Sequence, residues 1–158
     1  MTEIESIIAS FETMHSDRPW YGIGMMQTLK EIPKDIINLK PQCVSHSIAQ
    51  LVRHIINWRL FTIEKMKGNP IHLFEENAAM DWPTEEVTYE GWHELIGIIE
   101  TTANDLVSEM KKLTPERMDQ TSPGSNYKLR YIVNGIVQHD IYHLGQVRQL
   151  HKIIERHD

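Results

Sequence analysis

The feature that most constrains this fold is a long helical pattern that spans Asn126 to Glu155. Apolar residues recur there at the spacings of three, four and seven that mark an amphipathic α-helix. Two histidines, His139 and His143, share the apolar face, because residues four positions apart lie about one turn apart on the same side of a helix. The apolar residues on this face are Ile132, Ile136, Val147 and Leu150. Both imidazoles are therefore predicted to point into the core of a helical protein.

Four earlier segments carry the same helical period. The helices that we predict along the chain are Thr2–His15, Ile23–Glu31, Ser45–Lys67, Tyr89–Leu113 and Asn126–Glu155. Ser45 is the expected N-cap of the third of these, and Gly68-Asn69-Pro70 is the expected stop. Pro115 follows a threonine and occupies a favoured first helical position, which predicts a short extra turn.

The connection between Asn69 and Tyr89 carries no lasting helical pattern. About twenty irregular residues are long for a connection within one domain, but they suit a crossover between the helices of a bundle. No run of alternating apolar residues indicates a β-sheet. We therefore predict a single all-α domain over residues 1–158, a four-helix bundle with the long crossover between its second and third main helices.

The composition argues against several classes of partner and location. Hydrophobic residues make up 41% and charged residues 24% of the chain, as in an ordinary globular protein. The formal net charge is −6 and no basic block is present, which argues against binding to nucleic acid. No apolar run reaches the roughly 18 residues that would cross a membrane. The acidic start of the chain and the single Cys43 favour a cytoplasmic location without disulfides.

A third histidine, His54, lies in the apolar stripe of the helix predicted over Ser45–Lys67, whereas Arg59 is placed with the outward polar residues. His54, His139 and His143 would supply three neutral imidazoles from two facing helices. Catalytic zinc sites use three protein ligands and keep a fourth position open, and bundles build such sites from inward side chains. Imidazole suits several transition metals, so the ligands do not select the metal.

The alternative is that these histidines are hydrogen-bonded core residues without a metal. A single buried histidine such as His54 usually has that explanation. Two on one apolar face, His139 and His143, are harder to satisfy by hydrogen bonds alone, because an unpaired buried polar group costs roughly 1–3 kcal/mol. The pattern of residues leaves both interpretations open.

Several neighbours of the histidines are candidates for supporting roles. Asp140 and Gln146 could accept hydrogen bonds from the imidazoles and so orient them, although Asp140 could equally be a solvated charge. Trp20, Tyr21 and Trp58 are predicted to line a pocket above the site, with core filling as the alternative for Trp58.

Other residues are given no part in the site. Gly135 is interpreted as a point where another helix approaches closely, and Cys43 is assigned no function. The remaining histidines have no partner at ligand spacing and are predicted to lie at the surface or at helix ends; they are His15, His46, His72, His93, His151 and His157.

Three motifs resemble one family. His139–Gln146, with the sequence HDIYHLGQ, resembles the HDxYHxGQ signature of the DinB-like superfamily of small four-helix metal-binding proteins. Ser47–Ile55 resembles its other motif, in which a histidine precedes an apolar residue midway along the second helix. Pro19–Gly22 resembles the segment after its first helix. The likeness covers nearly the whole chain and keeps the order of the motifs.

The resemblance implies an up-down-down-up bundle, often dimeric, in which three histidines hold one divalent metal ion. These ligands correspond to His54, His139 and His143. Relatives include transferases and isomerases that use small thiols such as bacillithiol or mycothiol, and many members have no established activity. The expected metal is zinc or nickel, with iron, manganese or copper as alternatives.

Three functions remain open at this point. The first is a metal-dependent thiol S-transferase that acts on a small-molecule substrate. The second is a metal-dependent hydrolase, for which Asp140 is a weak candidate base. The third is a stress-response protein that binds a metal or small molecule without catalysis. Exposed apolar positions on the first helix and the crossover could form a homodimer interface.

Overall fold

A computed structural model of the protein describes residues 1–16, 18–70 and 78–156. Within these residues the structure is all-α, with one isolated β-bridge between Thr121 and Lys128 and no strand. The predicted all-α class is therefore confirmed. The helices are α1 (Glu3–Ser16), α2 (Met25–Glu31), α3 (Ile48–Lys67), α4 (Ala78–Asp81), α5 (Tyr89–Met110), α6 (Pro115–Met118) and α7 (Leu129–Glu155). None of them combines the length and the apolar character that a membrane span requires.

Helix α3 lies at the centre of the packing, because it contacts both α5 and α7 along its length. Its apolar side chains fill the core from two directions, as its wide buried face requires. The fully or nearly fully buried apolar residues of α3 include Ile48, Leu51, Val52, Ile55 and Ile63. Helix α1 packs against α2, α5 and α7 and closes the other side of the core. The histidine-bearing faces of α3 and α7 therefore meet.

The start of α3 differs from the prediction. Ser47, not Ser45, is the N-cap, because its hydroxyl accepts a hydrogen bond from the backbone N–H of Gln50. The Gln50 side chain in turn accepts one from the backbone N–H of Ser47, which completes a capping box. The predicted stop is confirmed, since Gly68 ends the helix in the left-handed region with φ of 91°.

The other helix ends shift by a few residues. Helix α7 begins at Leu129 rather than Asn126, because the preceding residues form a tight loop in which Ser122 donates a backbone hydrogen bond to Tyr127. Helix α5 ends at Met110 rather than Leu113, where the backbone tightens into a turn. The extra turn predicted at Pro115 is confirmed as α6.

The crossover between α3 and α5 contains the one-turn helix α4, which the sequence analysis did not predict. The described part of the crossover runs along α3 and is held there by side chains of that helix. Gln50, Arg53 and Asn57 each donate a hydrogen bond to a crossover carbonyl, at 3.3, 2.7 and 2.9 Å respectively. Since these donors lie on the side of α3 that also carries His54, the crossover covers the histidine cluster.

Candidate metal centre

Three imidazoles converge between α3 and α7. His54 comes from α3, and His139 and His143 come from successive turns of α7. One ring nitrogen from each residue lies within 4.8 Å of the others, and the Nε2 atoms of His54 and His139 are 3.0 Å apart. His54 and His143 are buried, whereas the side chain of His139 is 21% exposed. The structure thus brings together the three histidines that the sequence selected.

Each imidazole has a hydrogen-bond acceptor at its Nδ1 atom. Asp81 Oδ1 lies 2.7 Å from His54 Nδ1, and Gln146 Oε1 lies 2.6 Å from His143 Nδ1. Asp140 Oδ1 lies 3.5 Å from His139 Nδ1, a longer contact. An acceptor at Nδ1 keeps the proton on that atom and leaves the Nε2 lone pair free to bind a metal ion. The predicted orienting role of Gln146 agrees with this geometry.

The close approach of two lone pairs fits a metal ion. His54 Nε2 and His139 Nε2 would repel each other at 3.0 Å unless a proton or a cation lay between them. Two imidazole nitrogens on one tetrahedral zinc ion lie about 3.3 Å apart, since Zn–N bonds measure about 2.0–2.1 Å. The spacing and the three-imidazole donor set therefore suit a divalent transition metal.

The electrostatics of the cluster favour neutral imidazoles. Burial lowers the pKa of His143 to about 4, and repulsion from His139 acts in the same direction. Burial also lowers the pKa of His54, although the carboxylate of Asp81 opposes that shift. Both rings are therefore neutral near pH 7, which is the protonation state that binds a metal.

Asp140 is not a solvated charge. It is fully buried and accepts a hydrogen bond of 2.7 Å from Arg59 Nε. Arg59 is itself fully buried and donates a second hydrogen bond to the carbonyl of Ile99 on α5. The prediction that Arg59 faces outward is wrong, because α5 and α7 cover α3 on both sides. The partner of Arg59 lies 81 positions away in the chain, so no local pattern reveals the ion pair.

Two residues that contact the cluster, Asp81 and Trp82, were given no part in the site by the sequence analysis. Asp81 Oδ1 lies 2.7 Å from His54 Nδ1 and accepts a hydrogen bond from Trp58 Nε1. The Trp82 ring stacks between the imidazoles of His46 and His54, with centroid distances of 3.5 and 3.9 Å. Both residues reach the cluster because the crossover lies on α3, and that placement has no signature in the local sequence.

The predicted aromatic pocket is only partly formed. Trp58 lies beside the cluster, with its ring 5.5 Å from that of His139. Trp20, in contrast, is 97% exposed, and Tyr21 lines a separate cavity with Arg148. The loop that carries them is joined to α7 by a hydrogen bond of 3.3 Å from Arg148 to the carbonyl of Ile23.

The space beside the cluster is instead a cavity of about 760 Å³. Trp82 and His143 line it, together with aliphatic side chains of α3 and α7 and the exposed Cys43. A smaller cavity of about 380 Å³ reaches His139 on the other side of Tyr142. The interpretation of Gly135 as a close helix contact is wrong, because no atom lies within 4 Å of a Cβ placed there.

The remaining histidines mostly lie outside the cluster, as predicted. His93 is exposed, and His151 pairs with Glu155 near the end of α7. His15 lies in the last turn of α1, at a helix end as predicted, and is buried there against Phe11. His46 lies just before α3, half-buried by Trp82. His72 and His157 fall outside the described residues.

Comparisons with known proteins agree with this architecture. The sequence model of the DinB superfamily matches residues 24–147, a range that includes all three histidines. The crystal structure of YjoA, a DinB-like protein from Bacillus subtilis, is similar to 95% of this chain and 92% of that chain, with a TM-score of 0.66 and 21% sequence identity. No curated protein matches the chain. Because the family match covers most of its length, the chain belongs to the DinB superfamily.

Proposed function

We propose that this protein binds one divalent transition metal ion through His54, His139 and His143 and uses it to transfer a small thiol to an electrophile. The observation that supports the proposal most directly is the convergence of the three imidazoles. The Nε2 atoms of His54 and His139 are only 3.0 Å apart, and an oxygen atom lies near the Nδ1 atom of each ring. Zinc or nickel suits this donor set best, with iron, manganese or copper as the alternatives.

A divalent metal, when bound, lowers the pKa of a coordinated thiol and so supplies a thiolate at neutral pH. The protein's own residues prepare the site for that chemistry. Asp81 and Gln146 fix the tautomers of His54 and His143, so that no ring must rotate before the metal binds. Trp58 and Trp82 pack against the imidazoles and exclude water from one side of the cluster.

The overall reaction needs no further reagent. The thiol gives up its proton to solvent, and its sulfur forms a bond to the electrophilic carbon. The bond between that carbon and the leaving group breaks, and the leaving group departs with the electron pair. The cavity of about 760 Å³ beside His143 is large enough to hold a small aromatic electrophile.

Hydrolysis is less well supported because it needs a general base near the bound water. Among the described residues, two carboxylates contact the cluster, and each has a further partner. Asp140 is fully buried against Arg59, and Asp81 lies 2.7 Å from His54 Nδ1 and accepts a hydrogen bond from Trp58. Neither is placed to take a proton from water.

The test uses metal-loaded protein, 1-chloro-2,4-dinitrobenzene and a panel of thiols that includes bacillithiol, with absorbance of the thioether product as the measurement. We expect turnover that falls by more than about a hundredfold in His139→Ala, because two imidazoles hold a metal far more weakly than three. His93→Ala, at an exposed position, is the matched control. Unchanged turnover in His139→Ala would refute the metal mechanism. Ester hydrolysis without thiol would favour the hydrolase, and bound metal without any turnover would favour the non-catalytic alternative.

A further inference from the structure

The histidine cluster is flanked by two cavities, each of which reaches a different metal ligand. The larger, of about 760 Å³, is lined by His143, and the smaller, of about 380 Å³, is lined by His139. Tyr142 lines both. A metal ion held between His139 and His143 is therefore open to two molecules that enter from opposite sides of Tyr142.

The two cavities differ in chemistry. The larger is lined by Trp82, by the aliphatic side chains of Val44, Leu51, Leu150 and Ile153, and by polar side chains that include those of Ser45, Gln146 and Gln149. The smaller presents one further aromatic ring, Tyr131, and two amides, Asn134 and Gln138. No Lys, Arg, Asp or Glu is among the described residues that line either cavity. Both cavities present amides, but among the described residues only the larger is lined by aliphatic side chains, so it is the better match for an uncharged apolar or aromatic molecule. The smaller suits groups that exchange hydrogen bonds with its amides.

Tyr142 is fixed between the cavities although it is 63% exposed. Its hydroxyl oxygen accepts a hydrogen bond of 3.1 Å from Nε2 of Gln146, whose Oε1 is bound to His143. Its ring also meets that of His143 edge-on at a centroid distance of 4.9 Å. The same amide thus orients a metal ligand and the wall between the two cavities.

We infer, on the basis of the thiol-transfer function proposed above, that the two cavities divide the substrates. The larger cavity binds an apolar or aromatic electrophile. The smaller binds the thiol through its hydroxyl or amide groups, with the sulfur directed towards the cluster. The two substrates meet beside Tyr142, where the carbon–sulfur bond forms and the leaving group departs with the electron pair of the bond that it breaks.

Three helical glycines allow each cavity to be filled separately. Gly145 lines the larger cavity and Gly135 the smaller, whereas Gly97 on α5 lines neither. No atom lies within 4 Å of a Cβ built at any of the three. Leucine has a higher helix propensity than glycine, so Gly135→Leu, Gly145→Leu and the control Gly97→Leu will all fold.

The kinetic test varies 1-chloro-2,4-dinitrobenzene and N-acetylcysteine amide in turn, with metal-loaded protein. Gly145→Leu is expected to raise KM for the electrophile by at least about fivefold and Gly135→Leu to raise KM for the thiol by a similar factor, each without a matching change for the other substrate. Gly97→Leu should change neither value. A shift in the same KM by both cavity variants, or in neither, would overturn the division.

A binding test separates this inference from the function on which it rests. Unreactive 1,3-dinitrobenzene is titrated into each metal-loaded variant, with NMR shifts of backbone amides as the measurement. The expected result is binding by the wild type, Gly97→Leu and Gly135→Leu, and loss of binding in Gly145→Leu. That result supports the larger cavity as the electrophile site even if no thiol is turned over, in which case only the proposed function fails. Retained binding in Gly145→Leu would refute the assignment.

Discussion

Arg59 connects the histidine cluster to the middle of the core. Its guanidinium bridges α5 and α7 by donating to the carbonyl of Ile99 and to the carboxylate of Asp140, and that carboxylate faces His139. Both charges are fully buried, so each needs the other to compensate for lost hydration. Asp140 therefore has two partners, and its removal affects both stability and the position of His139.

Removing only one residue of the Arg59–Asp140 pair should lower the free energy of unfolding more than replacing both residues does. Arg59→Met leaves the Asp140 charge buried without a counter-ion, and we expect it to lower the free energy of unfolding by about 3–5 kcal/mol. The double variant Arg59→Met/Asp140→Leu should recover most of that loss. Urea unfolding of metal-free protein measures both values. If the single variant were as stable as the wild type, the pair would not be compensating buried charges.

His15 makes stability depend on pH. Burial lowers its pKa to about 4, and the nearby Arg59 acts in the same direction. The unfolded chain, with a histidine pKa near 6.5, then binds more protons than the folded one between about pH 4 and pH 6.5, so stability is full above this window and is lost as the pH falls through it.

The corresponding experiment compares wild type with His15→Phe, which keeps an aromatic ring beside Phe11. Between pH 7.5 and pH 5 the wild type should lose about 1–2 kcal/mol more of its free energy of unfolding than the variant does. The other buried histidines titrate in both proteins and cancel in the comparison. Equal losses in urea unfolding would show that His15 does not contribute.

Residue spacing predicted the three histidines of the cluster but only some of the side chains that support them. His54, His139 and His143 stand out because each interrupts an apolar helical stripe. Arg59 gives no such signal, since its only described carboxylate partner is distant in the chain and a lone arginine on a helix is usually solvated. Gln146 was predicted because it lies one turn from His143 on the same helix, so the contact needs no tertiary information.

The positions of the helices agree closely with the helical spacing of the apolar residues. The residues at which the helices begin and end depend instead on local hydrogen bonds. The sequence Ser47-Ile48-Ala49-Gln50 carries the capping-box pattern, so the true start of α3 was detectable. The role of the crossover was not detectable from the sequence. The position of the crossover depends on side chains of α3 that donate hydrogen bonds to the backbone carbonyls of the crossover.

We expect the crossover to contribute to metal affinity through Asp81. Asp81→Ala removes the acceptor behind His54, and we expect the dissociation constant for zinc to rise by about 10–100-fold. Asp81→Asn keeps an acceptor atom and should lose less. Glu85→Ala, at an exposed position on the same segment, is the control. Competition with a chromogenic chelator gives the constants, and an unchanged value in Asp81→Ala would contradict the orienting role.

For the whole molecule, the sequence predicted an all-α protein, and the family match and the helical structure confirm that class. The single domain over residues 1–158, the homodimer and the cytoplasmic location stay predictions. Light scattering tests the homodimer, which would double the mass of the 18.5 kDa chain. An association surface depends on shape as well as on exposed apolar residues, and single-chain periodicity does not encode that shape.

The metal site proposed for this protein has three histidines that join α3 and α7 through one metal ion. The most direct measurement is elemental mass spectrometry on protein purified without a histidine tag, beside the double variant His54→Ala/His139→Ala. We predict about one divalent transition metal ion per chain in the wild type and none in the variant, as the three-imidazole site requires. A wild type that holds no metal even after reconstitution with zinc or nickel would contradict the account and leave the histidines as hydrogen-bonded core residues.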